Sequence, residues 1–396
     1  STLLKCLIEP AKGGAPNMEF HEFVEFFNAN VEYNGLRFTE NRDGLFAENR
    51  EKLIFGALMA LLDNFPETND PAIIIQQFYA LRRLCVTRIG FSSAAIVPTL
   101  VKGVGRVSVH ALRMHHTAVS HAVIDFLCTL MTPHHDHFEP FHEQVNKNRM
   151  LSSDSFVRHL LSLLKTHIES DSGALVIHSL LDFFVYAVCP PYSEMTDEGN
   201  FNSIVAMLVD SIGKSIFLLF NHNCKAVRLS AGMIVRVIME EGGEDQFFTV
   251  QRAALSEGGF LRQFYTATYT PLTTASDREQ RDLARVLVSY WTYQNQTAQD
   301  LLRRMLPATL LHFLQSKDLP PESERNKDRQ LGVKEMTQEF KDSKTGWFKK
   351  RFHPKDITDG SAAEGSDEIV VTRRRVVNIK PELNWALFFY QIKNDH

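Results

Sequence analysis

From about Glu48 to Gln315 the chain alternates polar breaks with apolar residues at helical spacing. Leu53, Ile54, Ala57, Leu58, Leu61 and Leu62 fall on one helix face. Asn64-Phe65-Pro66 ends that helix, and Asp70-Pro71 opens another carrying Ile74, Phe78, Leu81 and Cys85. Pro71 suits a first helical position, where its missing N–H would have no partner anyway. Ser152, Ser153 or Asp154 can cap a helix with the stripe Phe156, Leu160, Leu161, Leu164 and Ile168. Ser172-Gly173 breaks it. The next segment, Ala174 to Val188, is apolar nearly all round and predicts a helix buried on several sides, stopped by Cys189-Pro190-Pro191.

Further helices are predicted near Ile204–Phe220 and Lys225–Glu240. Gly242-Gly243 and Gly258-Gly259 then bracket Gln246–Ser256. Ser276-Asp277-Arg278-Glu279 has capping-box spacing ahead of Leu283, Val286, Leu287, Tyr290 and Trp291. Thr297 to Gln315 predicts a last helix or pair, punctuated by Pro307. Helix pairs recur about every 40 to 47 residues, the pitch of armadillo and HEAT repeats. The predicted fold is therefore all-α: an armadillo/HEAT-like α-α superhelix (solenoid) over residues 48–316. An irregular helical bundle is the alternative. Residues 1–47 read as an irregular entry segment.

The last eighty or so residues change character. Residues 317–367 read as a charged, flexible linker, acidic and Gly/Ser-rich from Asp359 to Asp367. Residues 368–396 read as the start of a further, truncated module with a short irregular or β segment: Ile369 to Ile379 as a strand, and Asn384 to Ile392 as a second strand or the start of a helix. Ser1 in place of an initiator methionine, and an aromatic segment running into His396, predict a fragment of a longer chain.

Composition narrows the classes. A hydrophobic fraction of 44% excludes a mostly disordered chain, and a net charge of -4 gives no global attraction for nucleic acid. Cys85, Cys128 and Cys189 sit in apolar stretches and no CxxC pair occurs, which predicts reduced core thiols. No apolar run reaches the roughly 18 residues of a membrane span.

Candidate chemistry is sparse. His134, His135, His137 and His142, with His115, His116 and His121 upstream, have the density of a zinc site, but neither HExxH nor a cysteine ligand accompanies them. Lys102-Gly103-Val104-Gly105-Arg106 lacks the remaining residues of a phosphate loop and reads as an interhelical turn. No GxSxG elbow occurs. His353-Pro354-Lys355-Asp356 resembles the HPD tripeptide of J-domains with a lysine inserted, and reads as a loop. Asn295-Gln296-Thr297 is a glycosylation sequon in form alone. The basic-aromatic patch Trp347, Phe348, Lys349, Lys350 and Arg351 is the candidate for weak membrane contact. Three basic residues at about 1 kcal/mol each give on the order of 3 kcal/mol near an anionic surface, millimolar binding or weaker. No catalytic residue, cofactor or metal is assigned.

Several stretches carry a resemblance. They are Phe27-Asn28-Ala29-Asn30-Val31 with Tyr33-Asn34-Gly35; Asp43-Gly44-Leu45-Phe46-Ala47-Glu48-Asn49; Gly173-Ala174-Leu175-Val176-Ile177 into Ser179-Leu180-Leu181-Asp182-Phe183; Pro191-Tyr192-Ser193-Glu194; Ala254-Leu255-Ser256-Glu257-Gly258; and Asn384-Trp385. Over most of residues 25–396 the chain resembles the endosomal J-domain proteins of the receptor-mediated endocytosis type, the DnaJ subfamily C member thirteen family. The resemblance implies a non-enzymatic scaffold region of a co-chaperone. It implies work in receptor-mediated endocytosis, early-endosome sorting and clathrin- and retromer-linked recycling. Implied partners are retromer sorting nexins, the WASH complex, and a heat-shock cognate chaperone engaged through a J-domain not seen in this chain. Implied too are a phosphoinositide membrane bound through modules outside it, and a cytoplasmic location peripheral on the early endosome. A generic armadillo-type adaptor unconnected with endosomes is the other reading.

Overall fold

Residues 44–132, 140–269, 273–321 and 383–394 are described by a computed structural model; among them the chain is helical, with no strand. The helices are α1 (Gly44–Asp63), α2 (Pro71–Cys85), α3 (Arg88–Ile96), α4 (Pro98–Leu112), α5 (Thr117–Met131), α6 (Pro140–Leu151), α7 (Asp154–Glu169) and α8 (Ala174–Val188). After a 3-10 turn at Tyr192–Met195 comes α9 (Glu198–Ile212), and after a second at Ser215–Asn221 come α10 (Lys225–Glu241), α11 (Glu244–Ser256) and α12 (Gly259–Tyr269). Then follow α13 (Ala275–Thr292), α14 (Gln296–Met305), α15 (Ala308–Gln315) and α16 (Trp385–Asn394). The described residues up to Ala187, with Tyr192–Phe201, form one compact unit; Val188–Pro191 and those from Asn202 onward form a second.

Within each unit the extensive packings join elements no more than three apart in chain order. The recurring partner is the third helix on: α1 with α4, α2 with α5, α3 with α6, and α10 with α13. That is the contact pattern of a three-helix repeat in which each helix stacks on its counterpart one repeat later. Long-range polar bonds follow the same step. The Arg106 guanidinium (α4) donates to Leu62 O (α1), 44 residues away. Arg82 (α2) donates to Thr129 Oγ1 (α5) across 47 residues at 3.3 Å. Arg149 (α6) donates to Ala95 O (α3) across 54 residues at 2.9 Å. In the second unit Tyr290 (α13) donates to Glu240 (α10) across 50 residues. The armadillo/HEAT-like helical array read from the sequence is therefore what the chain forms.

Where their burial is described, the predicted stripes fill the core with two exceptions, Phe156 and Val286, both half buried. In α7 the buried side chains are Val157, Leu160, Leu161, Leu164 and Ile168, while Phe156 is only half buried. α8 is buried as expected from Val176 and Ile177 to Val188, with His178 and Asp182 half buried. Cys85, Cys128 and Cys189 are buried thiols outside any disulfide; burial pushes the Cys85 thiol up to about 12. No single helix among the described residues is long and apolar enough to cross a membrane. In the second unit Trp291 is fully buried among Phe217, Phe220 and Phe260, with ring centroids 5.9, 6.1 and 6.4 Å away.

Three local expectations are corrected. The segment expected to be one helix over Ile204–Phe220 breaks at Gly213-Lys214 into α9 and the second 3-10 turn. The capping box lies two residues earlier than Ser276: Thr274 is the cap, its Oγ1 accepting from Asp277 N at 3.2 Å while Thr274 N donates to Asp277 Oδ2 at 2.9 Å. Lys102–Arg106 is not a turn between helices but the middle of α4. Only Gly103 serves close approach: a Cβ there would lie 3.0 Å from Leu62 Cδ1, whereas one on Gly105 would meet nothing within 4 Å. Of the two alternatives open for the C-terminal aromatic segment, the helix is the one formed, over Trp385–Asn394, and it packs on α15. Trp385 Nε1 donates to Arg285 O and Ser289 Oγ of α13, both at 3.2 Å, and the Arg285 guanidinium lies 4.2 Å over the Phe389 ring. The strand expected at Ile369 to Ile379 lies outside the described residues.

Two predictions follow from this packing. A glycine inside a helix costs roughly 0.5–1 kcal/mol against alanine. Gly105→Ala should recover about that much in a urea unfolding midpoint, while Gly103→Ala should recover none of it, because Leu62 occupies the space. The second concerns Asp277, whose carboxyl is held below its ordinary 3.8 chiefly by the Lys225 ammonium, then by the hydroxyls of Thr273 and Thr274. A depressed carboxylate pKa contributes stability that is present above the unfolded value and lost as pH falls through the folded one. Asp277→Asn should therefore melt lower than the parent at neutral pH, with the gap closing on acidification below 3.8.

Candidate binding cleft

The first unit contains a cleft of about 240 Å³ where α3, α4, α5 and α6 meet and α7 begins. α4 enters through Pro98 in its first turn and presents Val101, Val104 and Ser108. Leu127 and Leu130 of α5 form the floor, and Met150 and Phe156 the far side. Phe156 is half buried for this reason: it leaves the α7 core stripe to line the cleft.

α6 supplies the polar wall, and its anchoring is unusual. Its sequence is poorly apolar, yet Glu143, Asn146 and Lys147 are buried. Lys147 and Glu143 have no exposed side-chain surface. The Lys147 ammonium lies 3.4 Å from Glu143 Oε1 and donates to Tyr192 O at 2.7 Å. Next to it, Asn148 Oδ1 accepts from Asp197 N at 2.7 Å and Asn148 Nδ2 donates to Met195 O at 3.3 Å. Arg149 then reaches back to Ala95 O. Three consecutive side chains thus clamp α6 to the Tyr192–Met195 turn and to the end of α3. The residue before them, Asn146, faces the cleft. It is 4% exposed, and no partner is found for its Nδ2; Ser108, opposite on α4, is 3% exposed, and none is found for its Oγ. A buried amide or hydroxyl without a partner costs about 1–3 kcal/mol. Arg149 is the one charged residue lining the cleft.

The residues singled out from sequence are elsewhere. Trp347, Phe348, Lys349, Lys350 and Arg351 lie outside the described residues, as do His134, His135, His137 and His353–Asp356. His142 sits half buried on α6 beside the Phe141 ring, and His121 Nδ1 lies 3.3 Å from Ser179 Oγ. Among the described residues no three potential ligands gather at metal-binding distance. Asn295 of the sequon has its side chain in use: Oδ1 accepts from Ala298 N at the start of α14, and Nδ2 donates to Gln251 Oε1. Sequence reasoning missed Ser108 and Asn146. The available signal was a helix, Pro140–Leu151, too poor in apolar residues for its place in an apolar array.

Comparison with known proteins gives three findings. Residues 1–131 match the family model described as the DNAJ protein RME-8 fourth domain. The DnaJ homolog subfamily C GRV2 of Arabidopsis thaliana is 29% identical over 171 residues, 43% of this chain and only 6% of that protein's length. A designed armadillo repeat protein superposes with a TM-score of 0.47 at 12% identity, over 74% of this chain and 99% of its own. The family read from the sequence words is the one these matches return.

The clamp on α6 is testable. Removing one member of a buried ion pair leaves the other uncompensated, at about 3–5 kcal/mol, whereas replacing both by apolar residues is often close to neutral. Lys147→Met should lower the urea midpoint of the first unit by an amount in that range. Glu143→Leu combined with Lys147→Met should regain most of it.

Proposed function

Taking residues 1–131 as an RME-8-type domain of a DNAJ protein, we propose that this chain is a non-enzymatic scaffold region of an endosomal co-chaperone. The match over residues 1–131 is the observation that carries the reading. It is supported by the helical array, whose exposed faces suit protein partners better than an enclosed substrate. In this reading the array holds protein partners on the early endosome: retromer sorting nexins and the WASH complex, in receptor-mediated endocytosis, sorting and clathrin- and retromer-linked recycling. A heat-shock cognate chaperone is engaged by a J-domain elsewhere in the full protein, and phosphoinositide membrane by other modules. The patch at Trp347–Arg351 at most orients a molecule already tethered.

Two measurements test this. Proximity labelling from the tagged chain in cells should enrich early-endosome sorting nexins and WASH subunits over a free-ligase control. Enrichment of an unrelated set, or none, would favour a generic adaptor. The ATPase rate of a purified heat-shock cognate chaperone should stay basal when the chain is added; clear acceleration would refute the scaffold assignment.

A further inference from the structure

We propose that the cleft between α4 and α6 is a recognition site for one bulky apolar side chain of a partner peptide, taken up together with the peptide group that carries it. The proposal is independent of where in the cell the chain works.

Size is the first argument. An apolar cavity of about 150 Å³ holds a benzene molecule, and sites for drug-sized ligands and cofactors run from about 300 Å³ upward. At about 240 Å³ the cleft is larger than one ring and smaller than a cofactor site. An aromatic or large aliphatic side chain plus one peptide unit falls between those limits.

The unpartnered groups are the second argument. Val101, Val104, Leu127 and Leu130 give an apolar lining suited to the side chain. That lining does nothing for Asn146 Nδ2, a donor, or for Ser108 Oγ, which both donates and accepts. A peptide group supplies one acceptor and one donor. Both atoms are closed to solvent in this structure; once the two side chains turn toward the cleft, the peptide C=O supplies the acceptor for Asn146 Nδ2 and the N–H the donor for Ser108 Oγ.

The third argument is charge and rigidity. Arg149 is exposed and is the only charged lining residue, which favours an acidic residue beside the apolar one. α6 is clamped on both sides of its axis, so the wall bearing Asn146 is fixed before a ligand arrives and little ordering entropy opposes binding.

The test is methyl NMR of the whole 396-residue chain, labelled at Leu, Val and Met. Three probes separate the contributions: N-acetyl-phenylalanine methylamide, toluene (the side chain alone) and N-acetylglycine methylamide (the peptide groups alone). The first should shift the methyls of Val101, Val104, Leu127 and Leu130 and bind at least about tenfold more tightly than either of the others, as expected for buried groups left unpaired by the wrong ligand. Asn146→Leu should bring it down to the level of toluene, and Ser108→Ala gives a second reading if that variant does not fold. Val104→Trp, at the half-exposed rim, should abolish binding. Placing Asp on both sides of the Phe should bind more tightly than placing Lys there. Absence of shifts at those methyls up to the solubility limit would overturn the proposal. So would equal binding of toluene, which would make the cleft a packing void.

Discussion

Every α-helix leaves its last four carbonyls without intrahelical partners, and in a stack of short helices many of those ends are buried against the next layer. In this protein long polar side chains from one repeat reach into another and take those carbonyls. Arg106 of α4 donates to Leu62 O, next to the end of α1, and Arg149 of α6 to Ala95 O, next to the end of α3. Gln251 of α11 donates to Tyr290 O and Tyr293 O at the end of α13. Other donors do the same at shorter range or from the backbone: the Thr196 hydroxyl takes Ala187 O at the end of α8, and the Asn384 backbone N–H takes Leu314 O at the end of α15. Apolar stripes bring the helices together without regard to axial position. These bonds fix the slide of one helix past another, because a shift by a single turn of about 5.4 Å would leave donor and acceptor both unpaired.

The same constraint explains what could be read from the sequence. Stripes such as Leu160, Leu161, Leu164 and Ile168 show in a single chain because the period is local. So do stops such as Cys189-Pro190-Pro191 and the start at Asp70-Pro71, where Asp70 Oδ1 accepts from Ala72 N. Pairings across forty to sixty residues are not local. Nothing near Gly103 in the sequence says that Leu62 will press on it, so two glycines in α4 read as a turn. Nothing near Phe156 says that its neighbour Val157 will take the core position. The resemblance could be read because it rests on whole local words of sequence, such as Asp43–Asn49, which lies within the matched residues 1–131. The cleft could not, because its polar atoms come from α4 and α6, two separate helices brought together only by the stacking.

The clamp and the cleft are one arrangement. Lys147, Asn148 and Arg149 spend their polar groups on backbone outside α6, which leaves α6 without freedom to rotate and Asn146 without a neighbour to satisfy it. A helix held only by an apolar stripe could turn slightly and carry such an amide to solvent. This one is held by three side chains in sequence and cannot do so without breaking them. A buried, unmatched donor beside an apolar hollow is therefore a fixed feature of the first unit.

Asn384 joins two distant points of the chain: its side chain donates to Ser316 O at 3.1 Å and to Asp318 O at 2.6 Å, across 66 residues. The two ends of that interval are thereby held together. Closing a chain on itself costs an entropy that grows only logarithmically, so doubling such an interval adds roughly 0.6 kcal/mol. The interval between Asp318 and Asn384 can consequently lengthen, shorten or accept an inserted module during evolution with almost no effect on the helices it departs from.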